Sequence, residues 1–144
     1  MVCGVNFLCT LFPGIVLRMC IESFETTLTI QGLPKTPNEL RFRKWYITTT
    51  HDKKWKRKIS ESILFSEKQK PEKPLEKVKI YFERHSSKQP DFDNLVGSFK
   101  PILDALVENG IIIDDAMKHM EVQNYKWIKC CPKKGHIVIR IESC

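Results

Sequence analysis

Between residues 24 and 31, Phe24, Thr26, Leu28 and Ile30 alternate with Glu25, Thr27, Thr29 and Gln31. A period of two predicts a half-buried β-strand, closed by Gly32. Residues 33–39 carry Pro34 and Pro37 and are expected to form a loop. From about Lys53 the spacing lengthens: Trp55, Ile59, Ile63 and Leu64 recur on one arc, which predicts a helix ending near Ser66. A linker, KQKPEKP, follows. Val78, Ile80 and Phe82 then alternate with Lys77, Lys79, Tyr81 and Glu83 as a second strand, and residues 85–90 read as a polar loop.

The firmest helical pattern spans residues 91–110, DFDNLVGSFKPILDALVENG. Leu95, Phe99, Ile102, Leu103 and Leu106 share one arc, and Gly110 is the stop. Pro101 removes a backbone donor inside it, which predicts a kink or a helix in two pieces. Ile111, Ile112 and Ile113 predict a buried β-type run that ends in charge at Asp114-Asp115. Residues 122–128 and 136–141 alternate again and resemble a closing antiparallel hairpin. Strands, intervening helices and this hairpin together predict an α+β fold, a mixed β-sheet with helices packed on one face.

The first residues stand apart. Residues 2–17 are mostly apolar, but they lack a basic n-region, are interrupted by Pro13-Gly14, and fall short of the roughly 20 residues of a membrane-spanning helix. Composition changes abruptly at Arg18-Met19. The expectation is that Met19 is the functional start, that residues 1–18 are an upstream extension with no part in the fold, and that residues 19–144 form a single domain. The competing reading is a short extra strand or helix covering the sheet edge.

Composition narrows the partners. The chain has 144 residues, 42% of them hydrophobic, with eight Pro and six Gly, an ordinary globular balance. Lys and Arg exceed Asp and Glu by 24 − 17 = +7, which suits a polyanionic partner as well as plain solubility. Six cysteines are present, but Cys3, Cys9 and Cys20 cluster at the start, Cys130 and Cys131 are adjacent, and Cys144 is last. No C-x-x-C spacing occurs, so a zinc ribbon and a secreted disulfide scaffold are both poor fits, and reduced thiols in a cytoplasm are expected.

Candidate chemistry lies in the carboxylates. Asp91 and Asp93 are two residues apart where loop meets helix, so in an extended segment both point the same way and repel unless a cation lies between them. Each alone has a plain structural use, Asp93 as the N-cap of a helix starting near Asn94 and Asp91 as a solvated loop residue. The acidic pair after the isoleucines adds a third donor at the end of a buried strand. On a straight helix Asp93, Lys100 and Asp104 share one side, with Gly97 between them leaving room for a phosphate backbone. Three carboxylates with an open side suit Mg²⁺, which keeps waters and accepts phosphate oxygens as further ligands, and such an ion serves in-line phosphodiester displacement.

The stretch D-x-D-N-L, then F-K-P-I-L-D-A-L, then G-I-I-I-D-D, resembles the RusA-type Holliday junction resolvases, especially their phage-borne relatives. The similarity is specific from Pro90 to Asp115 and looser from Phe24 to the C-terminus. It implies that Asp91, Asp93 and Asp115 bind Mg²⁺ for cleavage. It also implies a functional lysine shortly after D-x-D-N-L; Gly97 stands at the spacing of the best-known members, and aligning through D-A-L brings Lys100 into register. A homodimer cutting opposed strands of a four-way junction is implied as well.

The charge agrees. Arg41, Arg43, Lys44, Lys53, Lys54, Lys56, Arg57 and Lys58 surround a single acid, Asp52, with Trp45, Tyr46 and Trp55 interleaved. Cations can track phosphates and rings can stack on unpaired bases; the plainer reading puts Trp45 and Trp55 in the core. His51, His85, His119 and His136 show no metal-ligand spacing. The expectation is therefore a Mg²⁺-dependent endonuclease resolving four-way junctions in recombination and repair. Asp91, Asp93, Asp115 and Lys100 are its catalytic residues, the three aspartates its metal ligands, and Arg43, Lys44, Lys53, Lys54, Lys56, Arg57 and Lys100 its DNA contacts. It would act as a homodimer in the cytoplasm of a bacterial or phage-infected cell, away from membranes. The rivals are a nuclease for flaps or forks and a non-catalytic basic DNA-binding protein.

Overall fold

A computed structural model describes residues 23–66 and 70–144, and the backbone of two short strands, β1 (Cys9–Thr10) and β2 (Val16–Leu17). These two pair antiparallel with each other, apart from the main sheet. The expected boundary at Met19 lies outside the described residues.

The main sheet has four strands in the order β3-β6-β4-β5. β3 (Glu25–Gln31) buries Thr26, Leu28 and Ile30 and exposes the residues between them, the alternation its sequence carries. β4 (Val78–Ser86) continues three residues beyond Glu83, through His85 into the stretch expected to be loop. β5 (Met120–Lys129) pairs parallel with β4, whereas β6 (His136–Ser143) pairs antiparallel with both β4 and β3.

The expected hairpin between the last two strands is therefore absent, because β4 lies between them. β4 buries Val78, Ile80 and Phe82 and takes partners on both edges, while Glu121, Gln123, Asn124, Lys126 and Lys129 of β5 are exposed, which suits an edge strand. Residues 130–135, with a 3₁₀ turn over Pro132–Lys134, cross the end of β4, where the Cys130 N–H donates to the Ser86 carbonyl at 3.2 Å. A parallel β4–β5 pair needs a crossover, and the helices between them provide it.

Those helices are two. Pro101 has no N–H to return to the Gly97 carbonyl, so α3 (Phe92–Ser98) ends at Phe99 and α4 (Lys100–Glu108) restarts with the proline in its first turn, where the missing donor costs nothing. α2 (Trp45–Leu64) starts eight residues before the expected Lys53. The apolar stripe is missing from that first part, but the Thr49 and Thr50 hydroxyls donate to the carbonyls of Trp45 and Tyr46 one turn back, at 3.0 and 2.7 Å, so the threonines fit the helix. The expected loop at residues 33–39 also contains a helical turn, α1 (Pro37–Leu40), with Thr36 and Glu39 closing a capping box.

The core lies between one face of the sheet and the helices. Ile80, Phe82, Ile137, Ile139 and Ile141 meet Trp55 and Ile59 of α2, Phe99 at the junction of α3 and α4, and Ile102 and Leu106 of α4. Phe82 and Phe99 pack ring to ring at 4.7 Å. This is the α+β arrangement expected, with the helices on one side. Ile111 and Ile112 are buried, but among the described residues the run forms a single β-bridge, Leu75 to Ile112, and Ile113 is 43% exposed. The expected buried strand is reduced to an irregular return segment.

Candidate active site

The chain turns helical directly after Asp91, which holds the N-cap position in extended conformation (φ −62°, ψ 157°) while Asp93 falls in the first helical turn. The two carboxylates are thus not alternate residues of an extended segment, and the helix starts two residues earlier than an Asp93 cap would require. Asp91 makes no capping bond with its side chain. Both carboxylates are exposed, and neither has an ion-pair or hydrogen-bond partner among the described residues. Negative charge is favoured here by the free N–H groups of the first turn. Beside Asp91 opens a cleft of about 410 Å³ lined by Thr36, Glu39, Arg84, Lys88 and Asn94, among others. Arg84 is buried at its wall and donates to the Pro34 carbonyl at 2.7 Å.

A second cluster forms beyond the other end of α3. Gly110 (φ +68°) reverses the chain after α4, and the return segment brings Asp115 back to the start of that helix. Lys100 Nζ donates to the Asp115 carboxylate and pairs with Asp104, one turn along, at 2.9 Å. The Asp115 contact, followed by that of Asp104, holds the Lys100 ammonium above its ordinary pKa. In turn Lys100 holds the Asp115 carboxyl below the usual carboxylate range.

Tyr125, which sequence reading did not single out, stands next to this cluster. It stacks on Phe82 at 5.1 Å and donates to Gln123 Oε1 at 3.2 Å. Burial pushes its phenol up, with the Lys100 charge opposing. Gln123, Tyr125 and Trp127 are alternate residues of β5, and that periodicity was the available signal.

The structure therefore joins Lys100, Asp104 and Asp115, and leaves Asp91 and Asp93 at the opposite end of α3. Among the described residues no three His, Cys, Asp or Glu side chains stand together as a ready metal cluster. Gly97 does not serve as an open approach for phosphate. A Cβ there would lie 2.4 Å from Pro37 Cγ, so the missing side chain makes room for α1.

The basic segment divides into tied and untied cations. Lys56 pairs with Glu108, Arg57 Nε with Glu61 at 2.9 Å, and Lys58 donates to the Gln31 carbonyl. Arg43, Lys44, Lys53 and Lys54 have no ion-pair partner among the described residues. Trp55 is 3% exposed and belongs to the core, but Trp45 is 78% exposed and does not. His51 accepts from the Lys35 N–H, and His85 stacks on His136 at 4.2 Å.

The family model of endodeoxyribonuclease RusA matches residues 33–142, most of the chain. The chain belongs to the RusA family. RusA proteins are Holliday junction resolvases, and this chain is accordingly an endodeoxyribonuclease, a hydrolase acting on DNA. No curated protein matches it. The RusA match contains both carboxylate clusters, Tyr125 and the whole basic segment. A RusA nuclease implies a divalent metal, and the donor set fits one: hard carboxylate oxygens, two of them with no protein partner. No helix among the described residues is long and apolar enough to cross a membrane, and the described cysteines, Cys130, Cys131 and Cys144, are free thiols.

Proposed function

We propose that this RusA protein resolves four-way junctions as a Mg²⁺-dependent homodimer in the cytoplasm, with Asp91, Asp93 and Asp115 as metal ligands and Lys100 as the cation on the reacting phosphate. The observation that carries the assignment is the pair of exposed, partnerless carboxylates at the start of α3 in a chain with net charge +7. Carboxylates with no side-chain partner in a basic protein are open to a cation.

When bound, the ion supplies charge neutralisation for the in-line displacement and a water acidic enough to attack. Asp115 would be the third carboxylate to hold the ion, in place of its contact with Lys100. Exposed ion pairs of this kind are worth about 0–1 kcal/mol, so the exchange costs little. Lys100, held beside Asp104, would offer its ammonium to a phosphate oxygen. Arg43, Lys44, Lys53 and Lys54 hold the flanking backbone, and Lys56 and Arg57 join them on leaving their internal partners.

The test is a synthetic mobile junction incubated with and without Mg²⁺. Paired symmetric nicks that need the metal, and that vanish in Asp93→Asn while junction binding persists, are expected. Cleavage of flap or fork substrates in preference to the junction moves the protein to the other nuclease specificity. Binding without cleavage under any divalent ion contradicts the proposal.

A further inference from the structure

We propose that residues 41–46, the turn joining α1 to α2 and the first two residues of α2, form a base-stacking platform on which Phe42 and Trp45 take up bases that have left the duplex stack. Phe42 is 91% exposed and Trp45 78%, and Tyr46 beside them is half-exposed. Three large rings within five residues and facing water are unusual on a surface that has no use for them. They are interleaved with cations: Arg41 lies over the Phe42 ring at 5.5 Å and Lys44 over the Tyr46 ring at 5.9 Å. Trp45 and Tyr46 hold each other edge to face at 6.2 Å. No acid occurs between Glu39 and Asp52. Apolar faces set among unopposed positive charge match a polyanion that offers flat rings, which is nucleic acid with unpaired bases.

The support is rigid on both sides. Trp45 is the first residue of α2, which is anchored in the core by Trp55 and Ile59. α1 is seated on α3, with Pro37 against Gly97 and the Asn38 N–H donating to Asn94 Oδ1 at 3.2 Å. α3 is the helix that carries Asp91 and Asp93, so platform and carboxylates are mounted on neighbouring elements. An intact duplex keeps its ring faces covered, whereas a branch point exposes them. The platform therefore selects DNA by structure rather than by sequence, because every base has a π-face. This rests on the family's action on branched DNA and adds the residues that recognise the branch.

The test uses the full chain without divalent metal and measures binding to a labelled four-way junction and to a duplex of the same arms. Phe42→Ala and Trp45→Ala are each expected to weaken junction binding by about fivefold or more, the low end for a base–aromatic stack. Duplex binding and its salt dependence stay unchanged, and Trp45→Phe retains the junction affinity. A 2-aminopurine placed at the branch is quenched by the wild type and not by Trp45→Ala. Equal losses on junction and duplex make the rings a general contact and overturn the inference. Unchanged binding to both leaves the patch to a protein partner and overturns it too. In either case cleavage of the junction by the wild type leaves the junction assignment standing, whereas a wild type that neither prefers nor cleaves the junction removes both the platform and the junction assignment.

Discussion

Gly97→Ala probes how α1 is seated on the helix that carries the candidate carboxylates. The added methyl would meet Pro37 Cγ at 2.4 Å and Cδ at 3.1 Å, but Cβ only at 3.7 Å, an ordinary contact. Overpacking of this kind costs about 1–3 kcal/mol, against a helix-propensity gain of up to about 1 kcal/mol for replacing glycine. The net effect in the wild type is a loss of roughly 0–2 kcal/mol. Pro37→Ala removes Cγ and Cδ and keeps Cβ, so in that background the clash is gone and Gly97→Ala becomes neutral or stabilising. Urea unfolding of the four proteins measures the difference, expected at about 1–3 kcal/mol of coupling. The same effect of Gly97→Ala in both backgrounds would refute the packing of α1 on α3.

Trp55→Ala should cost about 3–5 kcal/mol in chemical denaturation because its ring fills the core, while Trp45→Ala should stay within about 0.5 kcal/mol of the wild type. The Lys100–Asp115 pair sets a pH signature. Because the Asp115 carboxyl is depressed in the fold, its contribution is present above pH 3.8 and is lost as pH falls through the lower folded value. NMR titration should find that depression, and Lys100→Met should return Asp115 to ordinary behaviour. Lys53→Ala and Lys54→Ala should each weaken DNA binding uniformly across substrates and reduce the salt slope by about 1, and unchanged slopes would take these lysines off the phosphate track.

Strong local patterns were legible from the chain. β3, the break at Pro101 and the stop at Gly110 follow from alternation, a missing donor and a positive-φ glycine, all of which act within a few residues. The errors concern what is decided between elements. β5 and β6 carry the alternation of a hairpin, but only the claim of β4 on both neighbours separates them. The first turns of α2 lack an apolar stripe because the helix there projects past the core, so its threonines signalled nothing helical. Gly97 looked like an opening for phosphate, since the proline that fills it comes from sixty residues earlier in the chain. At the site, Lys100 and Asp104 meet as expected for one side of a helix, while the contact of Asp115 with Lys100 and the entry of Tyr125 through the parallel register of β5 on β4 depend on how separate segments return, which no short motif encodes.

The most direct test is titration of the full chain with Mn²⁺, followed by its electron paramagnetic resonance signal, in the wild type and in Asp91→Asn, Asp93→Asn and Asp115→Asn. Each substitution is expected to weaken ion binding by a similar large factor, the Asp115 change included, despite the pairing of that carboxylate with Lys100 in the free protein. Ion binding that falls for Asp91 and Asp93 but is untouched at Asp115 would contradict a shared three-carboxylate centre.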